Sequence, residues 1–282
     1  MTAACMPGVP AVFEHATDRA EFTRPAHRAG VELYRAHIVR HAFEPHTHEG
    51  FGLGAIESGV ERFRHRGSEH VAAAGSLVLM NPDEPHTGRA ETSQGWRYHM
   101  VYLDEALLGE LLGCSGAWFA QAVAHDPVRA GRLSAHLQAL WQAREPLAFD
   151  GLLLGLVQGL RSLAQTSRPP PREPMPRLDR VQAHMLAHLD QRLTLESLAQ
   201  VADLSPFHLL RSFQARMHLS PHQWLMAQRL AQAQRKLAAG MPPAEVAVAC
   251  GLHDQAHLTR AFARRYGVTP ARYQRQVGAP RA

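Results

Sequence analysis

Between Leu193 and Gln276 the apolar residues recur at helical spacing, and the pattern runs twice. The first run sets Leu198, Ala199, Ala202, Leu209 and Phe213 ahead of Leu219-Ser220-Pro221 and Trp224; the second sets Val246, Ala247, Cys250, Leu258 and Phe262 ahead of Val268-Thr269-Pro270 and Tyr273. Ala199 and Ala247 lie 48 residues apart, Phe213 and Phe262 49 apart. An echo at a nearly fixed offset predicts two similar folding units side by side, neither able to hide its apolar stripe alone. Each unit reads as a helix-turn-helix. In the second, a short helix over 244–250 leads into a Gly251-Leu252-His253 turn, and Asp254 caps a helix over Gln255–Tyr266 that Gly267 closes. In the first, a helix over 195–201 and a turn at Ala202-Asp203-Leu204 precede the cap Ser205, with Pro206 at the first helical position before 207–217. His218 stands where the second copy has Gly267, so that helix end is predicted to be less favourable. Residues 223–239 read as one long helix joining the units, and 177–190 as an amphipathic helix that packs Leu178, Val181, Met185 and Leu189 on the first unit.

The first part of the chain carries a period of two. Residues 1–30 read as a tail plus one entering strand; strands then follow over 31–40, 51–57, 60–65, 69–73, Ser76–Met80 and Trp96–Leu103. Ser58-Gly59 and Arg66-Gly67-Ser68 read as turns, and Asn81-Pro82-Asp83-Glu84-Pro85 as a tight loop ending at His86. Short strands at close spacing predict an all-β barrel or a double-sheet jelly roll. Helices follow over Glu105–Leu112, over 128–143 with Leu133, Leu137, Leu140 and Trp141 on one face, and over 147–164. The last carries Leu152, Leu153, Leu156, Val157, Leu160 and Leu163, so it must be buried, either against the barrel or against a second chain. The proline density of 165–176 permits neither helix nor sheet and predicts an extended linker. The expected organisation is α+β: a barrel with helices over 1–165, a linker over 166–176, and an all-α domain over 177–282.

Composition sharpens this division. The net charge of +5 splits unevenly: from Arg177 onward there are 14 Lys+Arg against 6 Asp+Glu, whereas the preceding residues have 16 against 19. A basic domain beside a slightly acidic one suits a nucleic-acid binder with a separate sensing module. Lys236 is the sole lysine, and arginine favours paired contacts to phosphate and guanine. Cys5, Cys114 and Cys250 have no paired spacing, which fits a reducing compartment. No apolar run reaches membrane-spanning length and residues 1–10 lack the pattern of a secretory leader, so a cytoplasmic location without membrane contact is expected.

The stretch 251–262, followed by Tyr266-Gly267-Val268-Thr269-Pro270 and Tyr273, resembles the DNA-binding domain of the AraC/XylS family of bacterial transcription regulators, and the repeat extends the resemblance over roughly the last 100 residues. The barrel segment is similar to the cupin-type sensor domain of that family through His46-Thr47-His48, the Gly59 turn, and the 75–86 stretch with Pro82 and Pro85. The resemblance implies a DNA-binding regulator that answers a small-molecule effector, activates more often than it represses, assembles as a homodimer through the helices after the barrel, and can meet RNA polymerase. Double-stranded DNA is the expected partner, with no cofactor and no enzymatic step. The alternative is a metal-dependent cupin enzyme fused to a DNA-binding module.

Candidate site residues follow. Because Leu209, Phe213, Leu258 and Phe262 take the inward faces, Phe207, Leu210, Arg211, Gln255, Ala256, His257 and Arg260 face outward on the two recognition helices. Their family positions imply base contacts, and arginine or glutamine supplies paired hydrogen bonds in the major groove. Arg216, Arg229, Arg264 and Arg265 are the candidates for phosphate. The ligand-pocket candidates are His46, His48, His86, Trp96 and Tyr98. The three histidines fall where metal cupins place ligands, yet the glutamate of that pattern is missing, with Gly52 and Leu53 in its place. A metal site, a metal-free ligand contact, and simple filling of the barrel mouth all remain open, with the metal-free contact preferred.

Overall fold

A computed structural model describes residues 17–166 and 175–278; most of the predicted linker, 167–174, lies outside the described residues. Nine strands form one sheet: β1 (Arg19–Thr23), β2 (Val31–Ile38), β3 (Ala42–His46), β4 (Phe51–His65), β5 (Ser68–Ala73), β6 (Ser76–Met80), β7 (His86–Ala90), β8 (Trp96–Leu103) and β10 (Val123–His125). The order β1-β2-β8-β4-β6-β10 has two free ends, so the sheet folds over without closing. A two-strand ribbon pairs β9 (Trp118–Phe119) with β11 (Ala164–Gln165).

β4 organises this half. Its first part pairs with β6 and β8, and its second part pairs with β5 and β7. The expected hairpin turn at Ser58-Gly59 is not a turn. The strand runs on through a register shift between Ile56 and Ser58, with Gly59 at φ 74°. A bulge with glycine at positive φ bends a strand from one layer to the next without breaking it. A Cβ at Gly59 would sit 1.9 Å from the Gly95 carbonyl oxygen, so no other residue fits. The short strands β3, β7, β9 and β10 were not separated from loop by the alternation pattern.

Side chains alternate along β2, β4 and β8. One face, with Val31, Leu33, Phe51, Leu53, Val101 and Leu103, packs under α1 (Glu105–Leu112), α2 (Pro127–Gln142) and α3 (Pro146–Leu160). The apolar residues Phe149, Leu153, Leu156, Val157 and Leu160 of α3 are buried inside this chain, whereas Leu147 and Leu154 of the same helix are exposed.

The C-terminal half holds α4 (Pro176–Ala187), α5 (Leu195–Ala202), α6 (Pro206–Met217), α7 (Pro221–Ala238), α8 (Pro243–Ala249), α9 (Gln255–Tyr266) and α10 (Pro270–Gly278). The expected caps are present. Asp254 accepts from His257 N–H at 2.6 Å, and Ser205 accepts from His208 N–H at 3.3 Å. The first helix-turn-helix has its own core around Leu198, Leu209, Phe213 and Trp224. The second does not. Phe262, Tyr266 and Tyr273 belong to one apolar cluster with Phe22, Tyr34 and Tyr98 of the sheet.

Polar contacts fix that junction. Buried Glu32 on β2 accepts from Tyr273 Oη at 2.6 Å, from Gln234 Nε2 at 2.9 Å and from Arg24 Nε at 2.8 Å. Phe22 N–H donates to Gln276 Oε1 at 3.1 Å, and the Phe22 and Tyr273 rings meet edge-on at 5.2 Å. Arg235 pairs with Glu49 at 2.8 Å. One domain therefore rests on the other through its second repeat.

His218 closes α6 in the left-handed region at φ 56°, the strained end foreseen from the missing glycine. His218→Gly is expected to raise the urea midpoint by the equivalent of about 0.5–1 kcal/mol, with an unchanged denaturant slope.

Candidate functional site

The inner face of the sheet and the second repeat enclose a cavity of about 620 Å³. β3, β4, β7 and β8 contribute His46, Glu61, His86, Tyr98 and Tyr102, the β3–β4 connection contributes His48, and the helical half contributes Ala231, Gln234, Arg235, Arg265 and Tyr266. A space of this size with a few converging polar groups suits a small organic molecule.

At one end the three histidines converge. The His46 and His86 ring centroids are 4.3 Å apart, His48 lies 5.0 Å from His46, and one ligand nitrogen of each lies within 4.8 Å of the others. His46 Nδ1 is 2.7 Å from the Glu44 carbonyl and His86 Nδ1 is 2.9 Å from the Glu84 carbonyl. A carbonyl only accepts, so both Nδ1 atoms carry the proton. Burial lowers the pKa of all three rings, to about 4 for His86, and the nearby Arg265 charge acts in the same direction. They are neutral at pH 7. Glu84, whose carbonyl orients His86, is held at about 2: burial opposes ionisation, but bonds from His65, Arg66 and Asn81 outweigh it.

Glu61, which sequence reasoning missed, also lines the cavity. It is buried, and desolvation alone pushes its carboxyl up to about 8. It shares a strand face with buried Phe63 and His65, and that phase was the available signal. The Tyr34 and Tyr98 hydroxyls, 3.3 Å apart, are also held protonated by burial. Trp96 does not line the cavity. It lies in the core behind the wall, its ring stacked on Tyr98 at 5.7 Å.

The helical half supplies a buried cation. The Arg265 guanidinium donates from Nη1 to the Ala227 carbonyl of α7 and from Nη2 to the Thr47 carbonyl of the sheet domain. Its Nε and the Tyr266 hydroxyl are buried and, among the described residues, have no hydrogen-bond partner. Both residues line the cavity, so a bound molecule with acceptors would satisfy them.

The faces of α6 and α9 divide the sequence candidates. On α6, Phe207 and Arg211 are exposed with the guanidinium 5.7 Å from the ring centre, and Leu210 is half-buried. On α9, Gln255 and Arg260 are exposed, and Ala256 and His257 are half-buried. These groups occupy the free N-terminal part of α9; its C-terminal part lies on β3, where His41 Nε2 meets the Arg264 carbonyl at 3.0 Å. The phosphate candidates need correction. Arg265 is 4% exposed and turned into the cavity. Arg229 is also buried, with Nε on the Leu189 carbonyl at 2.8 Å and Nη2 on that of Gln191 at 2.6 Å. Arg216 is half-buried and paired with Asp179 at 2.8 Å, and Arg264 stays exposed, 3.7 Å from Glu44.

An AraC-like ligand binding domain model matches residues 28–157, and a helix-turn-helix domain model matches residues 198–276. The HTH-type transcriptional regulator YbfI of Bacillus subtilis is 27% identical over 243 residues, spanning 81% of this chain and 86% of that protein. The arabinose operon regulatory protein of Escherichia coli is 26% identical over 238 residues, spanning 80% of each. Among solved structures, an apo form of ToxT from Vibrio cholerae superposes with a TM-score of 0.58 at 8% identity, over 89% of this chain and 98% of that one. A ToxT structure with bound unsaturated fatty acid gives 0.52 at 8% identity, over 95% and 99%. At that identity the likeness is one of fold.

Glu61 gives the cavity a pH signature. Its carboxyl titrates near 8 when folded against an ordinary 4.5, so the folded chain holds the proton more tightly. That contribution is fully present below pH 4.5 and is lost as pH rises to 8. Wild-type stability is expected to fall relative to Glu61→Gln across this window, with a slope approaching about 1.4 kcal/mol per pH unit, and to run parallel above it. Urea titrations of both proteins from pH 5 to 9 measure the difference.

Proposed function

Since the chain belongs to the AraC family of transcription regulators, we propose that it reads DNA with α6 and α9 and that a small effector in the shared cavity sets how those helices are held. The DNA-binding regulator function follows from the family. The observation behind the effector reading is that five cavity-lining residues come from the DNA-binding half. A ligand that touches both halves has different contacts in the docked and released arrangements, and that difference is what couples two sites.

The effector class follows from the lining. Protonated Glu61 and the Tyr34 and Tyr98 hydroxyls offer hydrogen bonds, and Arg265 Nε and the Tyr266 hydroxyl offer unmet donors. A compact molecule with several acceptors fits. We assign no catalytic step to the cavity. The two recognition helices are joined by the 18-residue α7, about 27 Å long, a rigid spacer for adjacent major-groove segments. Phe207, Leu210, Arg211, Gln255, Ala256, His257 and Arg260 read base edges in this account; Arg264 holds phosphate, and Arg216 does so once released from Asp179. Exposed Leu147 and Leu154, beside Gly151 and Gly155 on one face of α3, support a homodimer seam. Contact with RNA polymerase and a cytoplasmic location belong to the same reading.

Two outcomes are expected. Arg260→Ala should weaken binding to the specific site by about 1–3 kcal/mol and leave random-DNA binding nearly unchanged, as read by fluorescence anisotropy at fixed salt. Equal loss on both would assign Arg260 to phosphate. In a thermal-shift panel of sugars, amino acids and aromatic acids, any compound that raises the midpoint of the full-length protein should also change its DNA affinity. A hit that leaves DNA affinity untouched contradicts the shared-cavity reading.

A further inference from the structure

Two buried side chains of opposite charge type line the cavity without a counter-charge. Every other arginine of the lining has one: Arg24 pairs with Glu32 at 2.8 Å, Arg235 with Glu49 at 2.8 Å, and Arg28 with Glu110 at 3.3 Å. Asp104, the remaining acid of the wall, is exposed to water. Glu61 and Arg265 are buried, and among the described residues neither forms an ion pair, with the other or elsewhere. An unpaired ionisable group in a dry wall is costly unless something else supplies the missing charge.

The two make complementary demands. Burial alone acts on the Glu61 carboxyl, so no cation of the protein stands near it. Tyrosine rings do. Tyr34, Tyr98 and Tyr102 each feel the Glu61 charge, and the Tyr34 ring centre lies 5.5 Å from that of Tyr98 and 6.4 Å from that of Tyr102. An acid beside electron-rich rings suits an organic ammonium, which the rings attract and the acid neutralises. Arg265 asks for the reverse: its Nε and the Tyr266 hydroxyl are unmet donors on the same wall, and a carboxylate supplies acceptors for both. A sugar leaves both charges unmet, an amine leaves Arg265, and a plain acid leaves Glu61.

We propose that the cavity takes a small zwitterion, a free amino acid or its N-methylated betaine, with the ammonium on Glu61 among the tyrosine rings and the carboxylate on Arg265 and Tyr266. This deepens the effector reading above and rests on it for any effect on DNA; binding itself is measured without DNA. Entry of the ammonium at pH 7 displaces the Glu61 proton to solvent, because the empty site holds that acid protonated. The titratable groups that face it, Tyr34 on β2 and Tyr98 and Tyr102 on β8, are kept neutral by burial, and its register partners on β5 and β7 are Ala72 and Ala90.

The twenty common amino acids and glycine betaine, tested on the full-length protein by thermal shift and then calorimetry, should include at least one that binds. The amine and the acid made by deleting either charged group of that compound should each bind at least about tenfold more weakly. Glu61→Gln, which keeps the shape of the protonated acid, should weaken the zwitterion about tenfold or more and leave the plain acid unchanged. Tyr266→Phe removes only a hydroxyl and should weaken the zwitterion and the acid but not the amine. Wild-type affinity should rise by up to about tenfold per pH unit from pH 6 and flatten near 8, whereas Glu61→Gln should show no such rise. No binding by any of these compounds, an amine or acid that binds as tightly as its zwitterion, or binding indifferent to Glu61→Gln would overturn the proposal. Zwitterion binding with the expected selectivity but without a change in DNA affinity would uphold the site and contradict the regulator reading.

Discussion

The buried guanidinium of Arg265 is the contact on which the architecture turns. A charge with no carboxylate within salt-bridge distance among the described residues is costly to bury unless its donors are met. Two carbonyls meet it, Ala227 on α7 and Thr47 at the end of β3, and they belong to different halves of the chain. If the halves separated, Arg265 would lose one acceptor and regain water. The docked arrangement thus carries both a stabilising bond and a standing reason to exchange it.

Glu32 supports the same junction from the other side. Its carboxylate collects Tyr273, Gln234 and Arg24, so donors from α10 and α7 end on one strand of the sheet. Around it Phe22, Tyr34, Phe262 and Tyr273 form one continuous apolar cluster. The first helix-turn-helix has a separate core and is free of this bond network. The two recognition helices therefore differ in kind: α6 sits on an independent unit, whereas α9 is held along its C-terminal part by the sheet. Both α7, through Ala231, Gln234 and Arg235, and α9, through Arg265 and Tyr266, line the cavity. A change in the angle between the two helices is enough to alter whether both enter adjacent grooves.

Local chemistry made the helical half legible. The N-caps Ser205 and Asp254, the closing Gly267 and its absence at His218 are decided within one turn of chain, and each appears where the pattern placed it. The sheet was legible in outline, because alternation marks strands, but Gly59 reads equally as turn or bulge until its partner strand is known. The histidines at the mouth of the open sheet were visible as a motif. Arg229 and Arg265 were not legible: on an isolated helical domain they belong to a basic outward face, and only packing against distant residues turns them inward. Glu61 escaped for the opposite reason, since a lone acid in a strand is expected outside unless its phase with Phe63 is followed.

The central claim is that the sheet domain and the second helix-turn-helix form one cooperative unit through Arg265. Amide hydrogen exchange of full-length wild type and Arg265→Gln measures this directly. If the claim holds, loss of the guanidinium raises exchange both in α9 and α10 and in β1–β3 of the other half, while α5 and α6 keep their protection. An increase confined to α9 and its immediate neighbours would mean that the two halves are only adjacent, and would contradict the account.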